Sequence, residues 1–251
     1  MAQRQFGIIG FPLGHSFSRA FFGDKFERER LDAEYLNFEI PSISDLPLVL
    51  ERHPHLEGFN VTIPYKLQVI PYLDELSPEA RAIGAVNLVK ITYPAGDRRL
   101  TGYNVDVTGF TLSLKPLLRP CHRRALVLGT GGASHAVAYG LRSLSIEPLI
   151  VSRTPHNDRI GYPDLDESVL RDHLVIVNCT PLGMYPHVDA CPDLPYQLLT
   201  PDHILYDLVY NPSETLFLRK GKQYGATTKN GLEMLRLQAL AGWDIWNTPA
   251  L

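Results

Sequence analysis

Cysteine is scarce in this chain of 251 residues: there are three, Cys121, Cys179 and Cys191, odd in number, widely spaced and in no C-x-x-C pair. That pattern argues against a disulfide framework and against a zinc site built from cysteine. H-E-x-x-H is missing too, and among nine histidines His53 and His55 merely flank Pro54 in a loop, so no metal site is read. Long hydrophobic runs are also lacking. The N-terminal stretch MAQRQFGIIGFPLG is interrupted at Gly10 and Pro12 before it could span a bilayer or serve as a signal peptide. The expectation is a protein of the cytoplasm with no membrane partner. Nor does charge of one sign dominate, since the net charge is -3 and no run of like charges occurs. Electrostatics therefore give no case for a nucleic-acid partner.

What is present centres on LVLGTGGASHA, Leu126 to Ala136, an apolar strand ending in glycines that open a helix. Gly129 can take the angles of a sharp reversal, while Gly131 and Gly132 carry no side chain to hold a phosphate away from the main chain. The N–H groups of the following helix then face the anion. Ser134 stands where the third glycine of G-x-G-x-x-G would be, and an ordinary tight turn between strand and helix is the plainer reading. Context favours the dinucleotide: Ala125 to Leu128, Ser134 to Leu144 and Pro148 to Ser152 make one βαβ unit. A glycine turn this late in a chain of this length also favours two domains.

Upstream, strands are expected at Gln5 to Gly10, Glu34 to Ile40, Leu56 to Ile63 and Val86 to Thr92, with a turn at Pro94 to Arg98 before Leu100 to Asp106 leads into LTGYNVDVTG. Helices are expected over Arg19 to Arg30, Ser44 to Arg52, Leu67 to Leu73, Ser77 to Ile83 and Val107 to Leu118. Ser18 is a natural N-cap, and with Ser16 it also forms a carboxylate site at the positive end of a helix. Asn60 and Thr62 share one strand face, with Lys66 beyond Pro64. Asn87 is either a turn residue or a ligand-directed amide, and Asp106 and Asn104 compete to cap the next helix.

Downstream, the second strand of the unit ends at Ser152-Arg153-Thr154, where an NAD-binding unit would carry an acidic residue. A permanently charged guanidinium pairs bidentately with phosphate, so Arg153 favours the 2′-phosphate of NADP. Further strands are expected at Val175 to Asn178, His203 to Asp207 and Ala226 to Lys229, with helices over Thr215 to Gly221 and Leu232 to Trp246. Asn178 and Thr180 stand at a strand end, where open parallel sheets bind ligands.

Ser16-Phe-Ser18, Asn60-Val-Thr-Ile-Pro-Tyr-Lys66, Gly84-Ala-Val-Asn87, Gly102-Tyr-Asn-Val-Asp106, the glycine turn, Ser152-Arg-Thr154, Asn178-Cys-Thr-Pro-Leu-Gly-Met184, Tyr206-Asp-Leu-Val-Tyr210-Asn-Pro and Asn230-Gly-Leu-Glu-Met-Leu-Arg-Leu-Gln238 occur in the order found in shikimate dehydrogenases. The chain resembles that family over nearly its whole length. The resemblance implies an α/β protein of two domains. Residues 1–106 with 230–251 would bind substrate, and 107–229 would form a Rossmann-type doubly wound domain for NADP, with the site in the cleft. It implies reversible NADPH-dependent reduction of 3-dehydroshikimate to shikimate, in aromatic amino acid biosynthesis, by a monomer or homodimer.

By position, Lys66 and Asp106 would be the catalytic pair. Ser16 and Ser18 would bind the substrate carboxylate with help from Tyr210, while Thr62, Asn87 and Gln238 would surround the ring and its hydroxyls. Gly129, Thr130, Gly131, Gly132, Ala133, Ser152, Arg153, Thr154, Thr180 and Gly231 would hold the cofactor. The chain departs from the family pattern at Arg19, Leu88, Val105 and Ser152. A second basic residue is missing soon after Arg153, where Asn157 and Asp158 precede Arg159. The rival readings are a quinate/shikimate dehydrogenase with broader substrate or NAD use, and a non-catalytic dinucleotide-binding sensor on the same fold. A folate-linked dehydrogenase is disfavoured by the paired serines and the Gly102 to Asp106 motif.

Overall fold

The computed structural model describes residues 3–14, 17–156 and 158–249. They fall into two compact units, Met1–Val105 with Ala239–Leu251, and Asp106–Gln238. Each has its own six-stranded sheet.

The first unit runs β1 (Arg4–Gly10), α1 (Phe17–Glu29), β2 (Ala33–Glu39), α2 (Leu46–Arg52), β3 (Leu56–Val61), β4 (Glu75–Leu76), α3 (Pro78–Ile83), β5 (Leu88–Thr92) and β6 (Arg99–Tyr103). The strand order is β2-β1-β3-β5-β6-β4. β1 lies parallel to β2 and β3, but β5 runs antiparallel to both β3 and β6, so the sheet is mixed. One face packs Ile9, Leu46, Phe59, Val69 and Val89. The other is aromatic, with Phe6, Phe22, Phe26 and Tyr35 around Trp243 and Trp246. Gly58 is required here by close approach, because a Cβ would stand 2.2 Å from the Trp246 indole nitrogen, which donates to the Val89 carbonyl at 3.0 Å.

The helix expected over Leu67 to Leu73 is a correction. Only a 3-10 turn at Ile70–Tyr72 forms. Pro71 lacks the N–H a helix would need, and Pro64 constrains the entry. Ser77 does cap α3, accepting from the Ala80 N–H at 3.1 Å.

The second unit runs α4 (Asp106–Leu114), β7 (Arg124–Leu128), α5 (Gly132–Ser143), β8 (Glu147–Val151), β9 (Arg159–Ile160), α6 (Glu167–Asp172), β10 (Val175–Asn178), β11 (Ile204–Asp207), α7 (Leu216–Gln223), β12 (Thr227–Lys229) and α8 (Leu232–Asn247), the last continuing into the first unit. All its strands are parallel, in the order β12-β11-β10-β7-β8-β9. This is the doubly wound dinucleotide-binding arrangement, whose order reverses between β7 and β10.

The division between the units falls inside α8. Met234 belongs to a core with Phe110, Val127 and Tyr206, whereas Ala239 and Trp246 belong to the aromatic core of the first unit. Gly109 on α4 makes room for the start of α8, since a Cβ there would meet the Met234 carbonyl at 2.4 Å. Among the described residues no helix is long and apolar enough to cross a membrane.

Candidate active site

In the first unit, the residues expected at the substrate cluster where β3, β5 and β6 end or begin. Thr62 follows β3 directly and donates its backbone N–H to the Ile9 carbonyl at 3.0 Å. The Lys66 carbonyl accepts from the Val86 N–H at 2.8 Å, which ties the lysine-bearing turn to the segment before β5. Asn87 is 3% exposed, and its Oδ1 accepts from the Val105 N–H at 2.7 Å. Its backbone N–H donates to the Tyr103 carbonyl at 3.1 Å, and its carbonyl accepts from the Val61 N–H at 2.9 Å. Asn87 thus ties the end of β3 and the end of β6 with the residues just beyond it to its own segment, by main chain and side chain together.

Ser16 lies outside the described residues. Ser18 lies within the first turn of α1, which begins at Phe17, so it does not cap that helix from outside. Its hydroxyl bonds with the Tyr35 phenol, which also donates to Asn60 Oδ1 at 2.6 Å. Burial raises the Tyr35 pKa strongly, with the Ser18 bond pulling slightly the other way. The phenol therefore stays neutral and can position both groups. Tyr35 was not among the expected site residues; its signal in the sequence is a polar-tipped aromatic in a strand where only Tyr35 and Phe38 are buried.

In the second unit, Asp106 opens α4 and is buried. Asn104, its rival as a cap, instead directs its amide to the Ala85 carbonyl at 3.0 Å within the first unit. Tyr210 is half-buried on the segment after β11, its phenol pKa raised by burial. Gln238 is half-buried near the middle of α8.

The glycine turn has the geometry its sequence predicts. Gly129 has φ +110°, which favours glycine, and donates its N–H to the Val151 carbonyl at 2.9 Å. Gly131 precedes α5, and a Cβ there would meet nothing within 4 Å, so the helix start opens onto free space. Ser134 buries its hydroxyl on the Gly131 carbonyl at 2.6 Å, which is how a residue larger than glycine fits the third position. Thr130 and Ala133 flank these glycines in the chain.

Beyond β8, Ser152 donates its N–H to the Ile160 carbonyl at 2.9 Å and accepts from the Thr154 N–H at 3.2 Å. Arg153 and Thr154 are exposed on this turn. On the returning limb Asp158 is paired with Arg159 at 3.1 Å and His156 at 3.5 Å. Thr180 follows β10 and packs against the glycine turn, its Cγ2 lying 3.2 Å from where a Gly129 Cβ would stand. Gly231 precedes α8, with its N–H on the Val209 carbonyl at 3.2 Å. The residues present fit a dinucleotide: an open helix N-terminus for the pyrophosphate, and an exposed guanidinium where the ribose 2′ position falls in this fold.

Comparison with known proteins agrees with this geometry. Residues 8–89 match the family model of the shikimate dehydrogenase substrate binding domain. The shikimate dehydrogenase (NADP(+)) of Carboxydothermus hydrogenoformans is 39% identical over 257 residues, spanning 96% of this chain and 90% of its own. A crystal structure of shikimate dehydrogenase from Aquifex aeolicus superposes with a TM-score of 0.86 at 35% identity, over 99% of this chain and 94% of that one. Shikimate 5-dehydrogenase from Thermus thermophilus, solved in complex with NADP(H) and shikimate, gives 0.84 at 33% identity, over 97% and 93%.

Proposed function

The chain belongs to the shikimate dehydrogenase family, and from that premise we propose that it catalyses the reversible NADPH-dependent reduction of 3-dehydroshikimate to shikimate. The observation that carries this reading is similarity over the full length of both units to enzymes named for that activity. The first unit with the closing helix is the substrate domain, and the second is the NADP domain.

Bound NADPH supplies the hydride. As the ketone carbon accepts it, negative charge develops on the oxygen, so the site must offer positive charge and a proton there. Lys66 carries both. Asp106 serves as the second member of the catalytic pair and bonds a neighbouring substrate hydroxyl. Ser16 and Ser18, with Tyr210, hold the substrate carboxylate; Thr62, Asn87 and Gln238 hold the ring. Gly129 to Ala133 receive the pyrophosphate, Ser152, Arg153 and Thr154 receive the 2′-phosphate, and Thr180 and Gly231 complete the cofactor surface. The enzyme works in the cytoplasm as a monomer or homodimer.

The test is loss of NADPH absorbance on adding 3-dehydroshikimate, repeated with NADH and, in the oxidative direction, with shikimate against quinate. Turnover with NADPH and shikimate far above the other pairings is expected. Absence of turnover at high enzyme concentration would return the chain to the sensor reading.

A further inference from the structure

Asp207 is a fully buried carboxylate at the end of β11 to which no part of the reaction assigns a role, and its bonded partners are all neutral. Its Oδ1 accepts from Asn178 Nδ2 at 2.9 Å and from the Val209 N–H at 3.0 Å. Its Oδ2 accepts from the Thr215 hydroxyl at 2.6 Å, and Thr215 in turn caps α7. A carboxylate without a proton can only accept, so each neighbour must present a hydrogen to it.

That constraint propagates. With Nδ2 turned to Asp207, Asn178 must turn Oδ1 the other way, where it accepts from the Thr180 N–H at 3.0 Å and the Thr180 hydroxyl at 2.6 Å. The backbone N–H groups of Val209 and Thr180 have fixed hydrogens, so the amide orientation follows from the chain itself. Thr180 Oγ1 then accepts from the Leu182 N–H at 3.3 Å, shaping the loop beyond, while its methyl packs on Gly129. This happens where the strand order reverses between β7 and β10, the place at which a doubly wound sheet takes its dinucleotide.

We propose that Asp207 is a positioning residue for the cofactor, acting through Asn178 to hold Thr180 and its loop against the glycine turn. The inference rests on the reading that this loop touches NADP. Burying an anion among neutral donors is unfavourable for stability, and the return is a buried acceptor that anchors Asn178 Nδ2 and so holds the side chain on which Thr180 leans. Asparagine at 207 could keep the same acceptor toward Val209 and Asn178, whereas alanine would remove the acceptor that Asn178 Nδ2 holds at 2.9 Å and leave it only the Leu182 carbonyl at 3.4 Å.

The experiment is fluorescence titration of NADPH onto wild type, Asp207→Asn and Asp207→Ala, beside steady-state kinetics and circular dichroism. Asp207→Ala is expected to weaken NADPH binding about tenfold, of the order of one lost charge-assisted hydrogen bond. Its KM for 3-dehydroshikimate should remain unchanged, and Asp207→Asn should stay within about threefold of wild type in NADPH affinity. A merely structural role would lower the folded fraction and the apparent kcat and leave the NADPH affinity of the folded molecules intact; that outcome overturns the proposal. Should Asp207→Ala not fold, Asn178→Ala cuts the same link and is read the same way. NADPH binding without turnover in wild type would sink the functional reading and still test this one.

Discussion

A hydride delivered to a carbonyl carbon needs a proton on the oxygen, and Lys66 is the residue on which the proposed chemistry depends most. Lys66→Ala should reduce kcat by about 100-fold or more, the range general acid catalysis supplies. NADPH affinity should stay nearly intact in the same variant, because the glycine turn and Arg153 belong to the other unit. Steady-state assays at raised enzyme concentration and NADPH titration together check both halves; near-normal turnover would remove Lys66 from its role. Residue types were what the sequence conveyed best at this scale. Thr62, Lys66 and Asn87 could be named because their peptides are distinctive. Tyr35 and Asp207 could not be, because a tyrosine in one strand and an aspartate in another gain meaning only from Ser18, Asn60 and Asn178, which are distant in the chain.

Elements here are positioned by close backbone approaches as much as by side chains. Gly231 is the clearest case: a Cβ would stand 2.2 Å from the Leu208 carbonyl oxygen and 2.7 Å from its carbon, and backbone cannot swing aside as a side chain can. Gly231→Ala should therefore destabilise the protein by about 1–3 kcal/mol, the usual scale of overpacking. A lowered urea midpoint with an unchanged m-value is the expected signature, and an unchanged midpoint would show that the start of α8 adapts. Local causes made several elements predictable, among them α3 with its Ser77 cap and the glycine turn with its positive φ at Gly129. Where a local cause was misjudged, as with Pro71 in the expected Leu67 to Leu73 helix, the element shrank to one 3-10 turn.

At the scale of the whole molecule, two buried titrating groups pull stability in opposite directions with pH. His203 accepts from the Thr200 N–H at Nδ1 and pairs Nε2 with the Leu170 carbonyl, both at 3.0 Å, which commits the neutral ring. Burial lowers its pKa from the usual 6.5. The unfolded chain therefore binds this proton first, and the stability attached to His203 is complete above pH 6.5 and declines as pH falls below it. Asp207 runs the other way: burial pushes its carboxyl from 3.8 up to about 6, against the bonds from Thr215, Val209 and Asn178. Its penalty is full above pH 6 and is relieved as pH falls toward 3.8. That shift corresponds to about 3 kcal/mol at most. Thermal melts across this range should show a flatter acid limb for His203→Gln. Asp207→Asn should show its largest gain over wild type above pH 6. Parallel curves for all three proteins would contradict both assignments. The amino-acid order by itself determined the glycine turn and the alternation of strand and helix that makes a doubly wound sheet, because each depends on neighbours along the chain, and it named candidate site residues through peptides that resemble a family's. Only the tertiary structure decided that β5 runs antiparallel in the first sheet, that α8 is divided between two cores, and that Asp207 bonds to Asn178. Those depend on partners brought together by strand pairing and packing, across separations that no local pattern encodes.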